Sequence, residues 1–186
     1  MGGCRSPLRT GTDLNSRSLP DSTVVLGLGN PILGDDGVGC WVAELLKTEL
    51  RRFSNVTVIS TFLSPIRLVD QISGHENLII IDSVFSQRAE PGTLMRVDFP
   101  FKDGNPLRSH GMSISSLNEV GQAVGLPMPA RTVYYGIEIE PPKVYSSSLS
   151  PMMESRLPAI VRELIEKEFP YEIEANTKAP RGERVI

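Results

Sequence analysis

The sequence predicts a single three-layer α/β/α domain on a twisted, mostly parallel sheet of five strands. Short apolar segments alternate with amphipathic helical ones from residue 23 to 169, the pattern of strands joined by crossover helices. Within that pattern, residues 78–82 (LIIID) form an uninterrupted apolar run, as expected of a central strand with both faces covered. Residues 1–22 and 170–186 lack apolar periodicity and are expected to be a disordered leader and a flexible tail.

Val24, Val25 and Leu26 begin the first strand, too short and apolar to alternate. The run GLGNPILGDDGVG, residues 27–39, then brings a turn, two acids and a helix start together. Gly27 and Gly29 permit backbone angles and close approaches that a side chain blocks, and Asn30-Pro31 marks the turn. From Val38 the period is helical, with Val38, Trp41, Val42, Leu45, Leu46 and Phe53 on one stripe. A strand over 56–60 leads through Ser64-Pro65 to a short helix carrying Ile66, Leu68, Val69 and Ile72, closed by Ser73-Gly74. After the central strand, a turn at 90–93 precedes a strand over 93–98, expected antiparallel at an edge. A long loop, 100–112, separates it from a helix over 113–124 that carries Leu117, Val120 and Val124. The alternation of Val133, Tyr135, Ile137 and Ile139 gives a strand over 132–139. In the last helix Met153, Leu157, Ile160, Val161, Leu164 and Ile165 share a face, and Pro158 predicts a start near Leu157 or a kink.

Composition narrows the functional classes. A formal charge of -3 lacks the basic excess of a non-specific nucleic-acid binder, and no apolar run approaches the roughly 20 residues needed to span a bilayer. Cys4 and Cys40 are the only cysteines, which excludes a disulfide framework and a thiolate zinc site and fits a reducing cytoplasm. Gly2 and Ser6 match a myristoylation pattern, against which stands an upstream start codon or an appended leader. No exposed apolar stripe demands a partner, so a monomer is expected.

Candidate chemistry gathers where ligands bind in this fold class, beyond the carboxyl ends of the strands. Asp35 and Asp36 sit at the mouth of the first helix, as caps or as functional carboxylates. Phosphate binding is disfavoured there, since the two acids would repel it and neither a dinucleotide fingerprint nor a Gly-Lys-Ser/Thr run is present. Asp82 ends the central strand, so a parallel sheet brings it to the same edge as Asp36. Of the two histidines, His75 follows a turn and reads as a surface residue, whereas His110 lies in the long loop. Two carboxylates and an imidazole suit a divalent ion held only in part by this chain, an acid/base pair without metal, or plain structural roles.

The glycine loop, the LIIIDSV strand, Ser109-His110-Gly111 before a helix, and Gly136-Ile137-Glu138 followed by SSSLSP (146–151) together resemble the nickel-iron hydrogenase maturation endopeptidases. The resemblance runs over about residues 23–168 in the family's order. It implies a phosphorylase/hydrolase-like α/β domain that removes a C-terminal extension from the hydrogenase large-subunit precursor after nickel insertion. Asp36, Asp82 and His110 would be both the metal-binding and the catalytic side chains, with nickel supplied by the precursor and no organic cofactor. Some members carry Glu at the position of Asp36, and many carry Asp-Gly-Gly where this chain has residues 60–65, STFLSP. No nucleic acid or membrane partner is implied. Two readings compete. Peptidyl-tRNA hydrolases share the Gly-Leu-Gly-Asn-Pro opening, although they continue with a histidine where Asp35 and Asp36 stand. A nickel-binding module that checks assembly without cutting fits too, because ligands are more evident than a nucleophile.

Overall fold

The computed structural model describes residues 22–63, 65–97, 114–142 and 145–170. Most of the expected leader and of the expected tail, together with the 100–112 loop and His110, lie outside the described residues. Four strands run parallel: β1 (Thr23–Leu28), β2 (Val56–Thr61), β3 (Asn77–Val84) and β5 (Arg131–Glu138). The short β4 (Leu94–Val97) pairs antiparallel with β5 and closes one edge, giving the order β2-β1-β3-β5-β4. The helices are α1 (Val38–Glu49), α2 (Val69–Ile72), α3 (Ile114–Ala123) and α4 (Pro151–Glu168). The predicted three-layer class with a five-stranded sheet and antiparallel edge is the observed one.

Both faces of LIIID are covered, as its composition requires. Ile79 and Ile81 pack with Val42 and Leu46 of α1 and with Met153, Ile160 and Leu164 of α4. Leu78 and Ile80 face the other way, against Leu68, Val69, Ile72 and Leu117. The period of two divides one apolar run between two cores.

Two expectations need correction. On α1 the buried face is Val38, Gly39, Cys40, Val42, Ala43 and Leu46, while Trp41 and Leu45 are exposed. The stripe is rotated because the helix presses small residues, not its largest ones, onto the sheet. A Cβ on Gly39 would lie 2.2 Å from the Leu28 carbonyl oxygen and 2.5 Å from that of Ile81. One on Gly27 would meet the Gly39 oxygen at 2.3 Å. At the other end of the chain, α4 begins at Pro151 rather than near Leu157. Ser150 is its N-cap, accepting from the Met153 amide at 3.2 Å, and Pro151 supplies the preset φ of a first helical residue. Pro158 sits inside the helix.

The far end of α4 is fastened to the sheet by one carboxylate. The Glu168 side chain is 3% exposed and accepts from Arg131 at 2.7 Å and from the Tyr135 hydroxyl at 2.6 Å. Burial, and then the Glu168 carboxylate, push the Tyr135 phenol above its ordinary range.

Gly39→Ala is expected to destabilise the fold by about 1–3 kcal/mol, the usual cost of overpacking. Urea unfolding of the variant beside the parent measures it, and an unchanged midpoint would contradict the close helix-to-sheet approach.

Candidate active site

The parallel register brings the ends of β1, β2, β3 and β5 to one edge of the sheet. After β1 the chain turns sharply at Gly29, whose φ is +154 and where a Cβ would lie 2.3 Å from the Asp36 carbonyl oxygen. A 3-10 turn over Gly34–Gly37 follows, delivering Asp36 to that edge. The sequence placed Asp82 as the last residue of its strand, and the structure corrects this. The ladder continues through Ser83 and Val84, opposite Ile137 and Glu138, leaving Asp82 2% exposed.

Asp36 and Asp82 share an intermediary. The Ser83 hydroxyl donates to Asp36 Oδ1 at 2.9 Å, and the Ser83 backbone N–H donates to Asp82 Oδ1 at 2.9 Å. Asp36 Oδ2 accepts from the Asn30 amide at 3.2 Å, and Asp82 Oδ2 accepts from the Tyr134 hydroxyl at 2.9 Å. All four carboxylate oxygens are thus oriented by hydrogen bonds, as befits oxygen ligands or a held base.

Neither acid of the pair caps α1. Its N-cap is Gly37, without a side-chain cap bond. Asp35 reaches instead to the last helix, accepting from the Ser150 amide at 2.7 Å and from its hydroxyl at 2.8 Å. Beside this tie the 145–150 loop pairs with the glycine loop: Gly34 N–H donates to the Ser146 oxygen at 2.7 Å and Ser146 N–H to the Ile32 oxygen at 3.1 Å. A groove of about 370 Å³ lies between them, lined by Leu33, Asp35, Pro141, Ser148 and Ser150 among others.

Cys40 lies at the same edge but is spent on structure. Its thiol is 8% exposed and contacts the carbonyl oxygens of Gly29 and Thr61, each at 3.4 Å. Burial, which outweighs the lowering by hydrogen bonds to Ser60 and Thr61, holds the thiol above its ordinary value of 9.0, which disfavours the nucleophilic thiolate. His75 is at the start of β3, the opposite edge, with its ring nitrogens 3.2 Å from the Ile72 oxygen and the Thr57 hydroxyl. His110 lies outside the described residues, and among the described residues no three His, Cys, Asp or Glu side chains form a metal-sized group.

Three residues escaped the sequence reading as individuals. Ser83 and Tyr134 orient the aspartates, and nothing in a strand's spacing distinguishes them from core. Glu138, 2% exposed, accepts from the Ser86 and Gln87 amides at 2.7 and 3.0 Å and from the Ser86 hydroxyl, holding the turn in which Gln87 takes a φ of 58. An acid closing a β-branched and aromatic strand was the available signal.

A family model described as hydrogenase maturation protease matches residues 40–167. The hydrogenase expression/formation protein HupD of Thiocapsa roseopersicina is 30% identical over 152 residues, 77% of this chain and 66% of its own length. The hydrogenase 2 maturation protease of Escherichia coli is 23% identical over 149 residues, 77% of this chain and 90% of that one. In fold, a crystal structure of a [NiFe] hydrogenase maturation protease HycI from Thermococcus kodakarensis is similar with a TM-score of 0.63 at 21% identity, covering 79% of this chain and 92% of that one.

The Cys40 thiol is expected to resist iodoacetamide at pH 8 in the native protein and to react once urea unfolds it. Its folded pKa is raised, so its contribution to stability is complete below the unfolded value and is lost as pH rises from there through the raised folded value. Chemical denaturation of parent and Cys40→Ser from pH 7 to 10 checks this; the parent's alkaline loss should be smaller in the variant.

Proposed function

Since the chain belongs to the hydrogenase maturation protease family, we propose that it removes the C-terminal extension of a nickel-iron hydrogenase large-subunit precursor once nickel has been inserted. The observation that carries this reading is the pair Asp36 and Asp82, bridged by Ser83 at the ligand-binding edge of the sheet. Their donor set is hard oxygen, and an imidazole from His110 would add the nitrogen that suits a divalent transition ion.

In this reading the ion belongs to the substrate. Asp36, Asp82 and His110 bind the precursor's nickel and so register a completed metal centre, which brings the scissile peptide to the same edge. When bound, the ion supplies Lewis acidity to a nearby carbonyl. One aspartate takes a proton from the attacking water as its oxygen bonds to the carbonyl carbon, and returns it to the departing amine as the C–N bond breaks. A protein partner is supported by Ile32, Phe62, Phe85 and Tyr145, which stand 57%, 67%, 47% and 82% exposed on loops of this edge. Large apolar side chains exposed at the edge that carries the acids suit a polypeptide better than a small polar ligand. A second reading, a module that grips the loaded precursor without cutting, is favoured by the sequestered Cys40.

Purified protein incubated with nickel-loaded and nickel-free precursors, followed by intact mass, separates these. Loss of the extension is expected from the loaded form only, and Asp36→Ala and His110→Ala are each expected to slow it at least about 100-fold. Binding of the loaded precursor without shortening would give the assembly-module reading; neither binding nor cutting would overturn both. Phe62→Ser with Phe85→Ser is expected to raise the KM for the precursor and leave thermal stability unchanged, and an unaltered KM would remove these residues from the docking edge.

A further inference from the structure

We propose that Ser83 and Tyr134 are positioning residues, two buried hydroxyls that fix the orientation of the Asp36 and Asp82 carboxylates toward a divalent ion. This inference rests on the ion-binding reading of the two aspartates given above.

Strand geometry explains how one pair of neighbouring residues serves both acids. Successive side chains of β3 point to opposite faces, so Asp82 shares a face with Ile80 while Ser83 shares one with Ile81, beneath α1. Asp36 arrives over the α1 face from the β1 loop, and Ser83 Oγ meets it at 2.9 Å. The Ser83 amide, in the same residue, meets Asp82 at 2.9 Å. One residue therefore joins the acids across the thickness of the sheet edge.

Tyr134 reaches Asp82 by a different route. It pairs with Ile80 on the neighbouring strand, and the residue opposite Asp82 is Gly136. From that diagonal position, a spacing within reach of an aromatic side chain, the phenol donates to Asp82 Oδ2 at 2.9 Å. Val84 keeps the position a glycine, since a Cβ on Gly136 would lie 2.7 Å from it.

Each hydroxyl has one proton and donates it to a carboxylate, making both acids acceptors on that side. Ser83 and Tyr134 are 2% and 3% exposed, so packing fixes their rotamers. Carboxylates held this way keep a constant aim, and loss of such outer hydrogen bonds generally lowers metal affinity by about 10–100-fold.

The test is calorimetric titration of full-length protein with Ni²⁺ alone, comparing the parent with Tyr134→Phe, Ser83→Ala, Ser83→Thr and Asp82→Ala. Circular dichroism and thermal unfolding are recorded beside each. Tyr134→Phe and Ser83→Ala are expected to stay folded and bind Ni²⁺ about 10–100-fold more weakly, with Ser83→Thr restoring affinity. A crystal structure of Tyr134→Phe should show a rotated Asp82 carboxylate. Parental affinity in both folded variants, with binding lost in Asp82→Ala, would overturn the positioning role and leave the ion site standing. If the parent binds no more Ni²⁺ than Asp82→Ala, the ion site itself fails and the positioning role with it. Should Tyr134→Phe not fold, Ser83→Ala and its threonine rescue decide the matter.

Discussion

The closeness of α1 to the sheet governs the rest of the molecule. Backbone oxygens of Leu28 and Ile81 occupy the space where a side chain on residue 39 would begin, and Gly27 is equally crowded from below. Helix and strands can touch there only as bare backbone. That contact sets the depth at which the preceding turn enters the fold, and so places Asp36 beside β3. Had larger side chains separated the layers, the turn would ride higher and Ser83 could not reach it. The exposure of Trp41 and Leu45 belongs to the same geometry: they are turned outward because small residues are turned in.

Buried acids in this chain are satisfied rather than tolerated. The side chains of Asp82, Glu138 and Glu168 lie almost wholly out of solvent, and each accepts hydrogen bonds from neighbours on another strand or turn. A buried carboxylate without such partners would cost several kcal/mol. The same economy places the groups of the two loops: Asp35 is consumed in fastening the last helix, leaving Asp36 to face the edge.

Most of the fold was legible because periodicity records burial. LIIID announced a strand covered twice, and the alternation of residues 133–139 placed β5 within a residue of its observed bounds. Helix phase was read less well on α1, where hydrophobic size misleads whenever glycines do the packing. The start of α4 was hidden because Pro158 looks like a boundary, while the Ser150-Pro151 pair that actually starts the helix stood only as the end of the SSSLSP run. Of the candidate site, Asp36 and Asp82 could be brought to one edge from strand parity alone. Ser83 and Tyr134 could not, since their roles arise from register between β3 and β5, which a single sequence does not encode locally.

The tie between Asp35 and Ser150 spans 115 residues. A ribosome makes the protein from its amino end, so Asp35 and Asp36 exist long before the segment that clamps their loop in place. Ser146 and Ser150 arrive only after β5, and only then can the glycine loop be held from both sides. The finished edge therefore waits on the whole sheet, and the growing polypeptide carries Asp35 and Asp36 in an unfastened loop until all five strands have been made.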